Sequence, residues 1–257
     1  MANNRGTPAA TLSRLAGDAD DDVRRRIAGN PSTPAATLTR LAGDADDGVR
    51  RRIAANPGTP AAALDTLCTD PYDDIRWNVA ANPNTPPVTL TVLAGDTSRD
   101  VRCRVADHPN TPPTALTGLA GDTWDTVRQY VAGNPNTPAE DLARLAGDTH
   151  YSVHWFVAAN PNTPTEAIRR LTTDPDSYVA EYAATTARTH CLHRYANTLP
   201  EPERVHAQLL IDAGFPGWPD NLATILNHQR AITMTTTPDP HAHNARSENS
   251  QHRPRPQ

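Results

Sequence analysis

Apolar residues return at a fixed interval along the chain. Leu12, Leu38, Leu64, Leu90, Leu116, Leu142 and Ile168 stand 26 residues apart, and Leu15, Leu41, Leu67, Leu93, Leu119, Leu145 and Leu171 keep the same step. Val23, Val49, Ile75, Val101, Val127, Val153 and Val179 form a third column. A fourth runs Ile27, Ile53, Val79, Val105, Val131, Val157 and ends at Ala183. Within one period Leu38, Leu41 and Ala42 share a helical face at i, i+3, i+4, and Val49 and Ile53 share another at i, i+4. The pattern predicts two short helices per period, A and B, each with one stripe to bury.

The polar positions punctuate the helices. Thr-Pro pairs begin at Thr7, Thr33, Thr59, Thr85, Thr111, Thr137 and Thr163, and most units carry Asn-Pro just before. Thr33 reads as an N-cap with Pro34 as first helical residue, so helix A is predicted from about Pro34 to Ala42. Gly43 reads as a left-handed terminator. Glu140 and Glu166, three residues after their Thr, read as capping boxes. Asp44 and its equivalents read as the N-cap of helix B, placed from about Ala45 to Ala54, with Pro71 and Pro175 as first helical residues in their units. Asn56-Pro57 ends helix B. Four aliphatic side chains do not cover the entropic cost of ordering a whole unit, so the units must stack. The small column Ala28, Ala54, Ala80, Ala106, Ala132, Ala158 and Ala184 suits close approach between neighbours. The expected fold is all-α: a solenoid of seven two-helix repeats over residues 4–185.

The stretch "LAGDADDGVRRRIAANPGTP" resembles the leucine-rich repeat variant family, and its "LxxDxxxxVR" core is similar to HEAT-like repeats. The resemblance implies a right-handed superhelix of short helices, one of each pair 3₁₀ in character, serving as a scaffold for protein contact. The family's best-known member carries an iron–sulfur cluster on cysteines ahead of its repeats. Here the repeats start at Asn4 with no cysteine before them, so no cofactor is expected.

Composition narrows the function. The 257-residue chain carries net charge −5, and all 24 of its basic residues are arginine. That balance weighs against a nucleic-acid partner. Cys68, Cys103 and Cys191 form no CxxC pair, and no metal is expected. His190, Cys191 and His193 lie close together, but at irregular helical spacing and without a fourth ligand. No membrane-spanning run and no signal peptide are read, so a soluble cytoplasmic protein is expected. No catalytic constellation is legible, and the protein is read as a non-enzyme.

Charge in helix B has a structural reading. Asp21 with Arg25, Asp22 with Arg26 and Asp47 with Arg51 are i, i+4 pairs. Arg24, Arg50, Arg76, Arg102 and Arg128, then His154, lie beside the core face, suited to Asp columns of the next unit. The surplus Arg25, Arg26, Arg51, Arg52 and Arg104 are the candidates for an alternative, nucleic-acid-binding function. Variation points elsewhere. Outward positions that hold arginine in the first units turn aromatic later, giving Trp77, Tyr130, Trp155 and Phe156, and Tyr151 one turn before Trp155 joins them, as candidate anchors for a protein or peptide partner. Tyr130, Phe156, Tyr178 and Tyr182 also fit a core role where the repeats meet a C-terminal cap. That helical cap is expected over residues 186–233, followed by a disordered tail over residues 234–257. The first repeat has almost nothing ahead of it. Either its open face is polar enough for water, or something docks there, a second copy being one candidate.

Overall fold

A computed structural model describes residues 6–196, together with Glu201 and Val205. The described residues contain fourteen helices and no strand. Helices A are α1 (Ala9–Leu15), α3 (Ala35–Leu41), α5 (Ala61–Leu67), α7 (Pro87–Leu93), α9 (Pro113–Leu119), α11 (Ala139–Leu145) and α13 (Thr165–Leu171). Helices B are α2 (Asp21–Ala28), α4 (Asp47–Ala55), α6 (Asp73–Ala81), α8 (Arg99–Asp107), α10 (Asp125–Gly133), α12 (Tyr151–Ala159) and α14 (Ser177–Ala196). The predicted pairing of short helices at each period is therefore present. Two compact units are distinguished, Met1–Ala187 and Arg188–Gln257, and the repeats fill the first. Most of the cap expected over 186–233, and the tail after it, lie outside the described residues.

The four apolar columns make one continuous core. Leu38, Leu64, Leu90, Leu116, Leu142 and Ile168 are fully buried, as are Val49, Ile75, Val101, Val127 and Val153. Leu15 and Val23 of the first repeat are only half-buried. Helices B of successive repeats pack along their length, whereas helices A of successive repeats touch at fewer points. The buried alanines at Ala54, Ala80, Ala106 and Ala132 allow this close layer. Both helices of each repeat are α-helical, contrary to the 3₁₀ character that the resemblance implied for one of them. Tighter i→i+3 bonds occur at helix ends, as where Thr37 N–H reaches the Pro34 carbonyl, and in the turns between helices, as where Thr33 N–H reaches the Asn30 carbonyl.

The termini of the helices differ from the sequence expectation in an instructive way. Thr33 is not an N-cap. Pro34 holds the N-cap position without a side-chain bond. The Thr33 hydroxyl turns back and donates to the Ile27 carbonyl at 2.7 Å, and Thr59, Thr85, Thr111, Thr137 and Thr163 repeat this bond six residues upstream. These buried threonines satisfy the last carbonyls of helix B, which a helix leaves unpaired. With its threonine engaged elsewhere, neither capping box forms, and Glu166 pairs with Arg169 instead. Gly43 is not left-handed: helix A ends in right-handed geometry at Ala42, and Asp44 N–H closes on Leu41. Helix B starts later than predicted. Asp44 precedes its N-cap by two residues and accepts from Asp46 N–H at 3.0 Å, while Asp46 itself caps by accepting from Val49 N–H at 2.9 Å. Likewise α6 begins at Asp73, past Pro71, and α14 at Ser177, past Pro175.

Two ladders tie repeat to repeat. In the first, Arg24, Arg50, Arg76, Arg102 and Arg128 each reach the aspartate 20 residues on, Asp44, Asp70, Asp96, Asp122 and Asp148. Each of these arginines also donates to the carbonyl six residues upstream, as Arg76 does to Asp70 at 2.8 Å. His154 takes over in the sixth repeat, with Asp174 at 2.6 Å. Burial alone would raise the carboxyl of Asp96. The guanidinium of Arg76 and the Ser98 N–H outweigh it and hold that carboxyl below its usual range.

The second ladder is built from the asparagine before proline. Asn82 donates to the carbonyls of Ala54 and Asn56, 2.8 and 2.9 Å away in the preceding repeat, while its own amide oxygen accepts from Asn84 N–H. Asn56, Asn134 and Asn160 do the same, and all are 3 % exposed. A second asparagine, as at Asn136, crosses to Pro109. Every letter of "NPNTP" is thus used. Its two asparagines bridge repeats, its threonine closes helix B, and its prolines set the breaks.

One rung differs. His108 stands in the fourth unit, donating from Nε2 to the Asn82 carbonyl and accepting Asn110 N–H on Nδ1. This pairing suits the neutral ring. Burial pushes His108 below its usual range, more than the carbonyl bond pulls it up. Its folded-state stability is therefore complete above the unfolded pKa and is lost as pH falls towards the folded one. His108→Asn, which restores the second donor, is expected to add about 1 kcal/mol at neutral pH. It should also flatten the decline between neutral and mildly acidic pH, as read from urea midpoints in both conditions.

Candidate interaction surface

The outer face of the B layer carries the residues that break the repeat. Helical geometry turns the core stripe inward, as with Ile75 and Val79 in α6. Side chains one and two places after the ladder arginine therefore face the seam between neighbouring B helices or solvent. In the first two repeats these positions are occupied by arginine. Arg25 is held by Asp21, Asp22 and Asp46 at once. Arg51 pairs with Asp47 and with Asp74 of the next repeat. Arg104 pairs with Asp107 and lies 4.6 Å from the Trp77 ring centroid. Arg26 and Arg52 are exposed. Of the five candidates for a phosphate track, three are thus engaged by carboxylates.

The aromatic candidates separate into two groups. Trp77 is half-buried between repeats, against the core and under Arg104. It forms one wall of an open groove of about 420 Å³ that also holds Cys103, Tyr130, Asp73 and Asp100. Phe156 is half-buried, its ring 3.2 Å from where a Cβ on Gly133 would stand, so this side chain packs one repeat on another. Tyr130, Tyr151 and Trp155 are exposed. Trp155 meets Phe156 edge-on at 5.0 Å and Tyr182 at 5.8 Å. Tyr178 and Tyr182 are exposed as well, at 78 % and 41 %, and do not take the core role that was one reading of them.

Two exposed rings escaped the sequence reading. Tyr72 and Trp124 occupy the N-cap position of α6 and α10, where the first two repeats have aspartate. Arg99 lies 5.1 Å from the Trp124 ring. The signal was present, since Asp20, Asp46, Tyr72, Ser98, Trp124, His150 and Asp176 form a column at the 26-residue step. It is hidden when the cap is placed two residues too early.

Residues 125–150 and 156–176 match the family model for the leucine rich repeat variant. A solved structure described as a leucine-rich repeat variant with a novel repetitive protein structural motif is 28% identical, over 71% of this chain and 72% of its own, with a TM-score of 0.55. Over those two stretches the chain is similar to the leucine-rich repeat variant. More distant are an engineered protein (17% identical, 92% of this chain and 80% of its own, TM-score 0.42) and a designed armadillo repeat protein (13%, 70% and 98%, TM-score 0.35). No curated protein matches the chain. Among the described residues, no helix is long and apolar enough to cross a membrane. Nor do the described residues include a group of three or more His, Cys, Asp or Glu placed to hold a metal. The side chains of His190, Cys191 and His193 lie outside the described residues.

Proposed function

We propose that this repeat protein is a non-enzymatic scaffold that binds a protein partner along the outer face of its B helices. The observation that carries the reading is the run of exposed rings on consecutive repeats, Tyr130, Tyr151, Trp155 and Tyr182, on helices whose other faces are used in stacking. Large apolar side chains presented in a row on a rigid layer suit partner contact, because they bury much area at little entropic cost. Nucleic-acid binding through the arginine columns is the weaker reading, since Arg25, Arg51 and Arg104 already answer carboxylates.

The test is affinity purification from the source cell with the wild-type chain and with a triple variant, Tyr130→Ser, Tyr151→Ser and Trp155→Ser. These side chains are exposed, so the variant is expected to stay folded by circular dichroism while losing its specific partner by at least about tenfold. A partner retained in full by the folded variant would contradict the proposal.

A further inference from the structure

The face of the last repeats is aromatic and carries formal charge of one sign. On α12 Tyr151 and Trp155 stand one turn apart, and on α14 Tyr178 and Tyr182 do the same. All four are exposed, and Trp155 and Tyr182 join the two pairs across the seam at 5.8 Å. The carboxylates nearby are Glu181, one residue from Tyr182, Asp176 at the start of α14, and Asp125 on α10, which faces His150 at 3.5 Å. From Asp125 to Ala187 no arginine stands on this face. Arg128 is locked to Asp148 in the ladder, and Arg144, Arg169 and Arg170 lie on helices A, where Arg144 binds Asp141, Arg169 binds Glu166 and Arg170 reaches Ala143.

The rest of the molecule indicates what such rings accept. Tyr72, Trp77 and Trp124, further towards the N-terminus, each have an arginine of this chain over or beside them, at 6.0, 4.6 and 5.1 Å. The four rings on α12 and α14 have no such arginine among the described residues; Tyr151 carries the His150 ring stacked on one face at 5.2 Å and offers the other. A ring face attracts a cation through its quadrupole, and flanking carboxylates add attraction and exclude anions.

We infer that the Tyr151–Trp155–Tyr178–Tyr182 patch docks a cationic, extended protein segment, whose arginine or lysine side chains take the ring faces left open by the chain's own arginines. This rests on the protein-binding reading above and adds the chemistry of the partner. An acidic or purely apolar segment lacks the charge that the patch complements, and a nucleic-acid strand would be repelled by Asp125, Asp176 and Glu181.

The experiment uses the full chain and four probes: a short peptide of alternating arginine and glycine, its glutamate and leucine counterparts, and a single-stranded oligonucleotide. Calorimetry and tryptophan fluorescence at low and physiological salt read the binding. The arginine peptide is expected to bind saturably and to weaken as salt rises, while the other three do not bind. Tyr178→Ala combined with Trp155→Ala should weaken it about tenfold. Glu181→Lys should weaken it about fivefold. Arg52→Ala, in the second repeat, should leave it unchanged. Thermal melts show that each variant is folded, and Tyr178→Ala alone, at the most exposed ring, supplies the reading if the double variant is unstable. Failure of the arginine peptide to bind overturns the inference, as does equal binding of another probe or indifference to the patch variants. If a cellular partner still depends on Tyr151 and Trp155 while the arginine peptide fails, the charge assignment is wrong and the protein-binding reading stands. If no partner depends on them, that reading fails with it.

Discussion

Asp96→Ala is expected to destabilise the protein by about 3 kcal/mol, with a matching fall in the urea midpoint. The aspartate side chain is 5% exposed and accepts two bonds from Arg76, at 2.6 and 2.9 Å. Removing it leaves a guanidinium that is itself 13% exposed facing a gap, with its charge uncompensated. It also frees Ser98 N–H, which the carboxylate accepts at 2.8 Å. The loss falls on the seam between the third and fourth repeats, where Arg76 also grips the Asp70 carbonyl. The contrasting control is Asp22→Ala. Asp22 contacts Arg25 from an exposed position, and its removal is expected to change stability by less than about 0.5 kcal/mol. Burial separates the effects of the two pairs. Acid acts in the same direction as the first substitution. Because the Asp96 carboxyl is held below its usual range, its contribution is full above the unfolded pKa and disappears as pH drops through the folded one.

Periodicity carried most of the fold. Seven exact returns of Leu, Leu, Val and Ile columns specify two helices per unit and a stacked core, because only residues facing inward are constrained at that spacing. The Arg-to-Asp partnership between units was also legible, since both columns keep step. What escaped was the use of small polar residues. Threonine before proline has the composition of an N-cap, but its hydroxyl serves the helix behind it rather than the one ahead. Asn56 and Asn82 look like helix stops, and they are, yet their amides span to the previous repeat. Local propensity is blind to a bond 26 or 28 residues away in sequence. Reading Asp44 as the cap, when Asp46 does the capping, moved the start of helix B and hid Tyr72 and Trp124.

The candidate surface was legible as a departure from the repeat. Positions where arginine gives way to tryptophan or tyrosine are free of the stacking requirement, which is how Tyr130 and Trp155 were found, with Tyr151 added one turn before Trp155. Burial redistributed the set. Trp77 and Phe156 lie in the same columns but sit in the seam between repeats, where a ring contacts Arg104 or Gly133. Tyr178 and Tyr182, which sequence allowed as core, are exposed and complete the patch.

Central to this account is the 26-residue unit as the quantum of the structure, each copy held by its neighbours through interchangeable ladder partners. Excising residues 86–111, which joins Thr85 to Pro112, tests this most directly. The shortened chain presents Asp122 where Arg76 had Asp96, and Asn134 where Asn82 had His108. Urea unfolding followed by circular dichroism is expected to show a folded chain with one cooperative transition and helical content reduced by about one repeat in seven. Excising residues 86–98 instead joins Thr85 to Arg99 out of step and should abolish that transition. If the in-step excision unfolds the protein as thoroughly as the out-of-step one, the repeats are not interchangeable and the account is contradicted.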